Sequence, residues 1–179
     1  MPQSEASTPV VRSINISPRK KMRKTPVGDK RLYVKEQWGF EDDAHAGDWH
    51  RQVSFLAFES IEKARAMGLD VKEGDFAENF TTQGIDLLDL PLGSQMRIGD
   101  EVLVELSQIG KVCHTRCAIY HLAGDCIFPR EGIFAVVLQG GWVQAGDPIV
   151  VVKRGDGHCE FSPADAIAEV EAARAAGTL

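Results

Sequence analysis

The chain has no run of about 18 or more consecutive apolar residues, the length a membrane-spanning helix needs, so no membrane span is predicted. It also has no excess of positive charge: 20 Lys and Arg stand against 26 Asp and Glu, a net charge of -6. General nucleic-acid binding depends on a basic surface that neutralises phosphates, and this balance excludes it as the expected function. The opening MPQSEASTPVV lacks the basic-then-apolar pattern of a secretory leader, which makes the cytoplasm the expected location. Cysteine is scarce, four in all, and three of them (Cys113, Cys117 and Cys126) fall in one short segment. A disulfide framework spreads its cysteines through a small secreted domain, so this crowding points to reduced thiols or a metal site. Compact metal motifs such as H-E-x-x-H are missing as well. Asp43, His45 and His50 therefore read, taken alone, as turn residues and supporting groups of a polar loop.

What is present describes an ordinary globular chain of 179 residues, 44% hydrophobic and 26% charged, long enough to bury a core without covalent staples. Residues 1–9 are polar and aperiodic, a frayed lead-in; residues 10–153 read as one domain; residues 154–179 read as an extension carrying a short helix. Alternation predicts strands over residues 10–16, 30–38, 102–108 and 149–153, with an apolar β-branched strand over 132–138. Gly-Asp occurs seven times at irregular intervals, at glycines 28, 47, 74, 99, 124, 146 and 155. These are turn signals between short strands, and they predict a mainly β barrel or sandwich with few helices. One helix is expected over 60–67, with Ile61, Ala64 and Met67 on its buried face, Glu59 paired with Lys63 and Gly68 as its stop. A last helix opens at Ser162-Pro163, with Asp165 in the capping-box position, as an appendage or a dimer contact. The hairpin-like SPRKKMRKTP of residues 17–26 is either a solvated loop or an anion-facing turn near the site.

Chemistry concentrates in residues 109–138, IGKVCHTRCAIYHLAGDCIFPREGIFAVVL. Thiolate is the form of cysteine that attacks electrophiles and binds soft metals, and cationic neighbours favour it. Lys111, His114, Arg116, His121 and Arg130 supply that neighbourhood. Cys126 beside Ile127 and Phe128 reads equally as a small core residue, and Cys159, in a polar tail, as incidental. Glu78-Asn79 either pins a loop or contacts a ligand. Arg130 and Glu131 either orient an anion or pair with each other.

The ordered series GDWHRQVSFL, EGDFAENFTTQGIDL, LPLGSQMRIGDEV, the cysteine segment and REGIFAVVLQGGWVQAGDPI resembles the MOSC domain, named for the C-terminal domain of molybdenum-cofactor sulfurases, over residues 10–153. The resemblance implies a mostly β, barrel-like fold. It also implies handling of molybdenum cofactor (molybdopterin) or of activated sulfur, through a cysteine that carries sulfur or ligates the metal. Cys113 stands where free-standing bacterial members place their cysteine. Arg116-Cys117-Ala118-Ile119 is similar to the Arg-Cys-aliphatic context of the amidoxime-reducing branch, although CHTRC has three residues between its cysteines where that branch has two. Both cysteines stay open, as catalytic thiol and as metal ligand, with His114 as a thiolate-stabilising catalytic partner. The expected cofactor-binding set is Lys111, Arg116, Arg130, Glu131, Arg51, His50, His45, Glu78 and Asn79. Arg19, Lys20, Lys21, Arg23 and Lys24 are further cations for a pterin phosphate. Implied partners are the molybdopterin-type cofactor and a sulfur-donor or electron-donor protein; the oligomeric state is left open. Two other functions fit the same residues: a molybdenum-dependent reductase of N-hydroxylated compounds served by a separate electron donor, and a non-catalytic module stabilised by zinc on Cys113, His114, Cys117 and Cys126.

Overall fold

A computed structural model describes residues 7–116, 120–121 and 126–179. In chain order the elements are β1 (Val10–Ile16), β2 (Thr25–Pro26), β3 (Leu32–Lys35), β4 (Gly39–Phe40), β5 (Val53–Ala57), α1 (Phe58–Ala66), β6 (Phe80–Gln83), a 3-10 turn (Leu87–Asp89), β7 (Gln95–Ile98), β8 (Val102–Ile109), α2 (Phe128–Glu131), β9 (Ile133–Gln139), β10 (Gly141–Val143), β11 (Ile149–Lys153) and α3 (Ala164–Ala175). The fold is mainly β, as the short alternating segments predict. Eight strands form one sheet in the order β11-β7-β8-β9-β5-β6-β1-β2, and β10-β3-β4 form a second.

Neighbouring strands run antiparallel except β5 and β6, which pair in parallel at Phe55↔Phe80. A parallel pair needs a long crossover, which α1 and the loop after it supply. The start of β1 meets the approach to β11 through the bridge Val10↔Pro148 and three backbone bonds, from Ile149 N–H to the Pro9 carbonyl (2.8 Å), from Val11 N–H to the Asp147 carbonyl (2.9 Å) and from Gly146 N–H to the Val11 carbonyl (2.7 Å). Apart from that contact both strand orders are open among the described residues.

The large sheet has apolar cover on both faces. Val102, Val104 and Leu106 of β8 are fully buried in the larger core, where Phe55 stacks on Phe80 with centroids 4.9 Å apart. In β9, five consecutive residues from Ile133 to Val137 are buried. A continuous apolar run of this kind marks a strand covered on both faces rather than one. Ile133, Ala135 and Val137 join the larger core. Phe134 turns the other way, into a smaller core with Leu56, Ile61, Ala64, Phe76, Cys126, Ile127 and Phe128.

Several local expectations change in three dimensions. Ile61 and Ala64 of α1 are buried, but Met67 is exposed at the helix end. Glu59 does not pair with Lys63: its carboxylate accepts from Gly84 N–H, while Lys63 reaches Glu131. The strand expected over 30–38 is confined to Leu32–Lys35, because Gln37 turns the chain with φ +51. Ser162 does not cap α3. Pro163 is the N-cap residue, no side chain caps the helix, and the Ser162 hydroxyl donates to the Ser107 carbonyl. That contact ties the C-terminal segment to β8. Cys159 is correspondingly buried, at 2% exposure, where burial pushes its thiol upward; it does not lie on a solvated tail.

Candidate functional site

The cysteine segment leaves the sheet through a narrow neck. Gly110, at φ +75, donates from N–H to the Gly132 carbonyl (2.7 Å), and Lys111 N–H donates to the Pro129 carbonyl (2.9 Å). Past this neck Lys111, Val112, Cys113, His114 and Thr115 line a cavity of about 270 Å3. Cys113 is exposed. Lys21, Met22 and Arg23, from the hairpin tip between β1 and β2, line the same cavity with His45 and Arg51 of the loop before β5 and with Phe76 and Ala77. The tip of the basic hairpin thus borders the same cavity as the cysteine segment, while residues 18–23 are exposed.

One buried carboxylate holds two of these walls. Lys24 Nζ donates to both Asp43 oxygens, at 2.8 and 2.7 Å, with both side chains 1% exposed. Asp43 also accepts from Ser17 N–H at 3.0 Å and from His45 N–H at 3.2 Å. Burial pulls the Lys24 ammonium below its usual range against the attraction of Asp43. Burial alone would raise the Asp43 carboxyl, but the Lys24 charge, its hydrogen bond and the Ser17 N–H outweigh that and hold it low. The third wall is tied to the hairpin through Lys24 N–H, which donates to the Gly74 carbonyl (2.8 Å). Gly74 has φ +85, and a Cβ there would lie 2.2 Å from the Lys24 carbonyl oxygen, so only glycine permits this approach.

Glu78 and Asn79, which follow the lining residue Ala77 in the chain, are fully buried or nearly so. Glu78 Oε1 accepts from Gly74 N–H and the Thr81 hydroxyl, each at 2.7 Å. Asn79 accepts from Ser54 N–H (3.1 Å) and donates to the Asn15 carbonyl (3.2 Å). These contacts are the loop-pinning arrangement, one of the two open at the level of sequence.

Arg51 is held with its guanidinium 4.5 Å from the Trp49 ring centroid and 5.4 Å from that of Phe134. Burial lowers its pKa, and nearby Cys113 opposes that shift. His45 is pulled down to about 4 by burial and by the Lys24 charge. It is therefore a neutral imidazole at pH 7, and an NMR titration is expected to show its ring signals moving with a midpoint near 4; a midpoint in the ordinary histidine range of about 6–7 would contradict the burial described.

Buried polar atoms in native proteins nearly always have hydrogen-bond partners, and the exceptions call for an explanation. Four buried side-chain atoms lack one among the described residues: His45 Nδ1, Arg51 Nε, Glu78 Oε2 and Thr82 Oγ1. The first two belong to residues that line the cavity, and Glu78 follows the lining residue Ala77 in the chain. Among the described residues, three non-glycine residues have positive φ, and two of them, Lys21 at +60 and Ala77 at +67, also line the cavity. Backbone strain persists where surrounding structure enforces it and clusters at ligand sites.

A second cavity of about 370 Å3 shares Val112, Cys113, Cys126 and Pro129 with the first and adds Arg116, Tyr120, Arg130 and the C-terminal residues Ala173, Thr178 and Leu179. Of the expected set, Cys113, His114, Lys111, His45 and Arg51 thus meet in the first cavity, and Arg116 and Arg130 border the second. Two residues point elsewhere. His50 Nε2 is hydrogen bonded to Gln108 Oε1 at 2.7 Å, on β8. Glu131 accepts from the Ser60 hydroxyl and pairs with Lys63 of α1 at 3.2 Å, so it pairs with α1 rather than with Arg130. Cys117 lies outside the described residues. No cluster of three metal-ligating side chains occurs among the described residues.

Sequence reasoning missed the Lys24–Asp43 pair and the C-terminal wall. Nothing local separates Lys24 from the other cations of the hairpin, and α3, with Val170 alone buried, carries no apolar stripe.

Comparison with solved structures supports this fold. YiiM from Geobacillus stearothermophilus is 25% identical, with a TM-score of 0.66 over 93% of this chain and 83% of that one. The YuaD protein from Bacillus subtilis is 17% identical, with a TM-score of 0.67 over 79% of this chain and 94% of that one. YiiM from Escherichia coli is 17% identical, with a TM-score of 0.62 over 94% of each. The last two likenesses concern the fold alone. No curated protein sequence matches the chain. The MOSC domain model matches residues 42–150, more than half of the sequence and a span that includes His45, Arg51, Gly74 and the whole cysteine segment; the chain belongs to the MOSC domain family.

Proposed function

We propose that the first cavity binds a molybdopterin-type cofactor, with its phosphate among Lys21, Arg23, Arg51 and Lys111 and its metal end toward the Cys113 sulfur. The observation that carries this reading is the coincidence of two buried polar atoms without a partner among the described residues, His45 Nδ1 and Arg51 Nε, with several cations around an exposed thiol. The donor chemistry fits the group. Guanidinium and ammonium groups suit a phosphate, a soft thiolate suits molybdenum, and neutral His45 offers a ring nitrogen to a pterin edge. Such a cofactor, when bound, supplies two-electron redox chemistry. The chain's own residues orient it, keep the thiol in a cationic field and hold the cavity walls through Asp43.

The exposure of Cys113 supports a sulfur-carrier role for the same residue. Its thiolate would attack the outer sulfur of a persulfide donor, R–S–SH, forming the enzyme persulfide and releasing R–S⁻ as the S–S bond of the donor breaks. Lys111 and His114 line the same cavity as this sulfur.

The test is molybdenum, zinc and pterin content after anaerobic purification, for the parent and for Cys113→Ser and Cys117→Ser. Molybdenum with pterin near one per chain is expected, falling about tenfold or more in Cys113→Ser. Zinc without pterin, lost together with folding stability in either variant, would replace this reading with a metal-stabilised module. Loading that survives Cys113→Ser and vanishes in Cys117→Ser would move the sulfur role to Cys117.

A further inference from the structure

The reading above leaves the second cavity without a role. At about 370 Å3 it falls within the range of about 300–1,000 Å3 typical of small-molecule sites. Its residues are of a different kind from those of the first. The Arg116 guanidinium carbon lies 4.2 Å from the centroid of the Tyr120 ring, and the body of Tyr120 packs on the smaller core. A guanidinium close over a phenol ring makes a flat, polarised surface suited to stacking a further ring. Val112, Pro129 and Ala173 give aliphatic cover, and Arg130 adds a second cation to the lining. Slots of flat π-surface and aliphatic cover with a few convergent cations select flat rings with anionic or acceptor-rich edges.

The C-terminal helix supplies part of this cavity. α3 buries only Val170, yet it is tied to the cysteine segment: His114 Nε2 lies 2.8 Å from Glu169 Oε1. Arg174 Nη2 donates to the Ile109 and Arg130 carbonyls, at 3.3 Å each. A helix with so little apolar contact gains its place from these ties, which set Ala173 and Thr178 at the cavity.

We propose that the second cavity is a separate site for a planar aromatic anion or acceptor-rich heteroaromatic co-substrate, which it presents to the Cys113 sulfur, with α3 as one of its walls. Naming this ligand a co-substrate rests on the reading of Cys113 as the working sulfur; the existence of the site does not. The probe is 2-naphthalenesulfonate, a flat aromatic anion, titrated by its fluorescence against the full chain. One saturable site is expected. Ala173→Trp, which fills the cavity, and Arg116→Ala, an exposed change that removes the stacking cation, are each expected to weaken binding about tenfold or more. Arg23→Glu in the first cavity and saturating inorganic phosphate are expected to leave it unchanged.

The proposal is overturned if both cavity variants, shown folded by an unchanged urea midpoint, bind the probe as the parent does, if phosphate displaces the probe, or if no saturable site is found. A failed probe experiment with molybdenum loading still dependent on Cys113 removes this site alone. Intact probe binding with no molybdenum or pterin removes the cofactor reading alone.

Discussion

Replacing Asp43 by alanine is expected to destabilise the protein by about 3–5 kcal/mol, because it leaves the Lys24 ammonium buried without its counter-charge. Both side chains are 1% exposed and joined by two short hydrogen bonds, so water cannot take over the lost role. The same change removes the acceptor for Ser17 N–H and His45 N–H. Lys24→Met combined with Asp43→Asn is expected to recover much of the loss: no charge stays buried, and the amide oxygen still accepts from Ser17. Urea denaturation of the parent, Lys24→Met, Asp43→Asn and the double variant measures the coupling. An Asp43→Ala variant within about 1 kcal/mol of the parent would show that the pair is not desolvated as described. The sign with pH follows from the lowered carboxyl: its contribution is present above the unfolded value of 3.8 and is lost as pH falls through the folded value below it.

Glu78→Gln is expected to change how stability depends on pH, by about 3 kcal/mol between acid and mildly alkaline solution. Burial pushes the Glu78 carboxyl up from 4.5 to about 7, against the bonds from Gly74 N–H and the Thr81 hydroxyl. A raised acid prefers to be folded in its protonated form. Its stabilising contribution is therefore complete below 4.5 and lost as pH rises through about 7. Glutamine keeps an oxygen for Gly74 and Thr81, and it carries no charge to bury. The difference in unfolding free energy between parent and variant should thus grow in favour of glutamine from pH 4.5 to pH 8, by about 3 kcal/mol in all. If the two proteins run parallel across that range, Glu78 is not the buried acid that the structure shows. Because Glu78 follows Ala77 in the chain and accepts from Gly74 N–H, the same titration bears on how firmly this wall of the cavity is held.

Much of the fold was legible along the chain. Val102, Val104 and Leu106 alternate because successive strand side chains point to opposite faces, and all three are buried on one face. The apolar β-branched stretch 132–138 was legible as a strand, and the structure shows that its residues 133–137 are covered on both sides. The last helix was legible in extent and misread at its start. Ser162 has the right chemistry for a cap, but a backbone carbonyl 55 residues away took its hydroxyl. His45 and His50 share one loop and looked alike. The fold sends His45 to the cavity and His50 to Gln108, through hydrogen bonds with partners that sequence spacing does not reveal.

By itself the sequence determined the mainly β class, the order of the motifs that mark the MOSC family, and the segment in which three of the four cysteines lie. Each of these rests on neighbours along the chain: strand alternation, glycine turns and the spacing of cysteines. Only the tertiary structure decided which of the hairpin cations face Cys113, that Lys24 turns inward to Asp43, that Glu131 turns to α1, and that the C-terminal helix walls a second cavity. Those outcomes depend on desolvation and on charges brought close by sheet pairing and crossover packing. Both are set by distance in space, and residues 19 and 71 positions apart meet here as Lys24–Asp43 and Ser60–Glu131 only once the chain has folded.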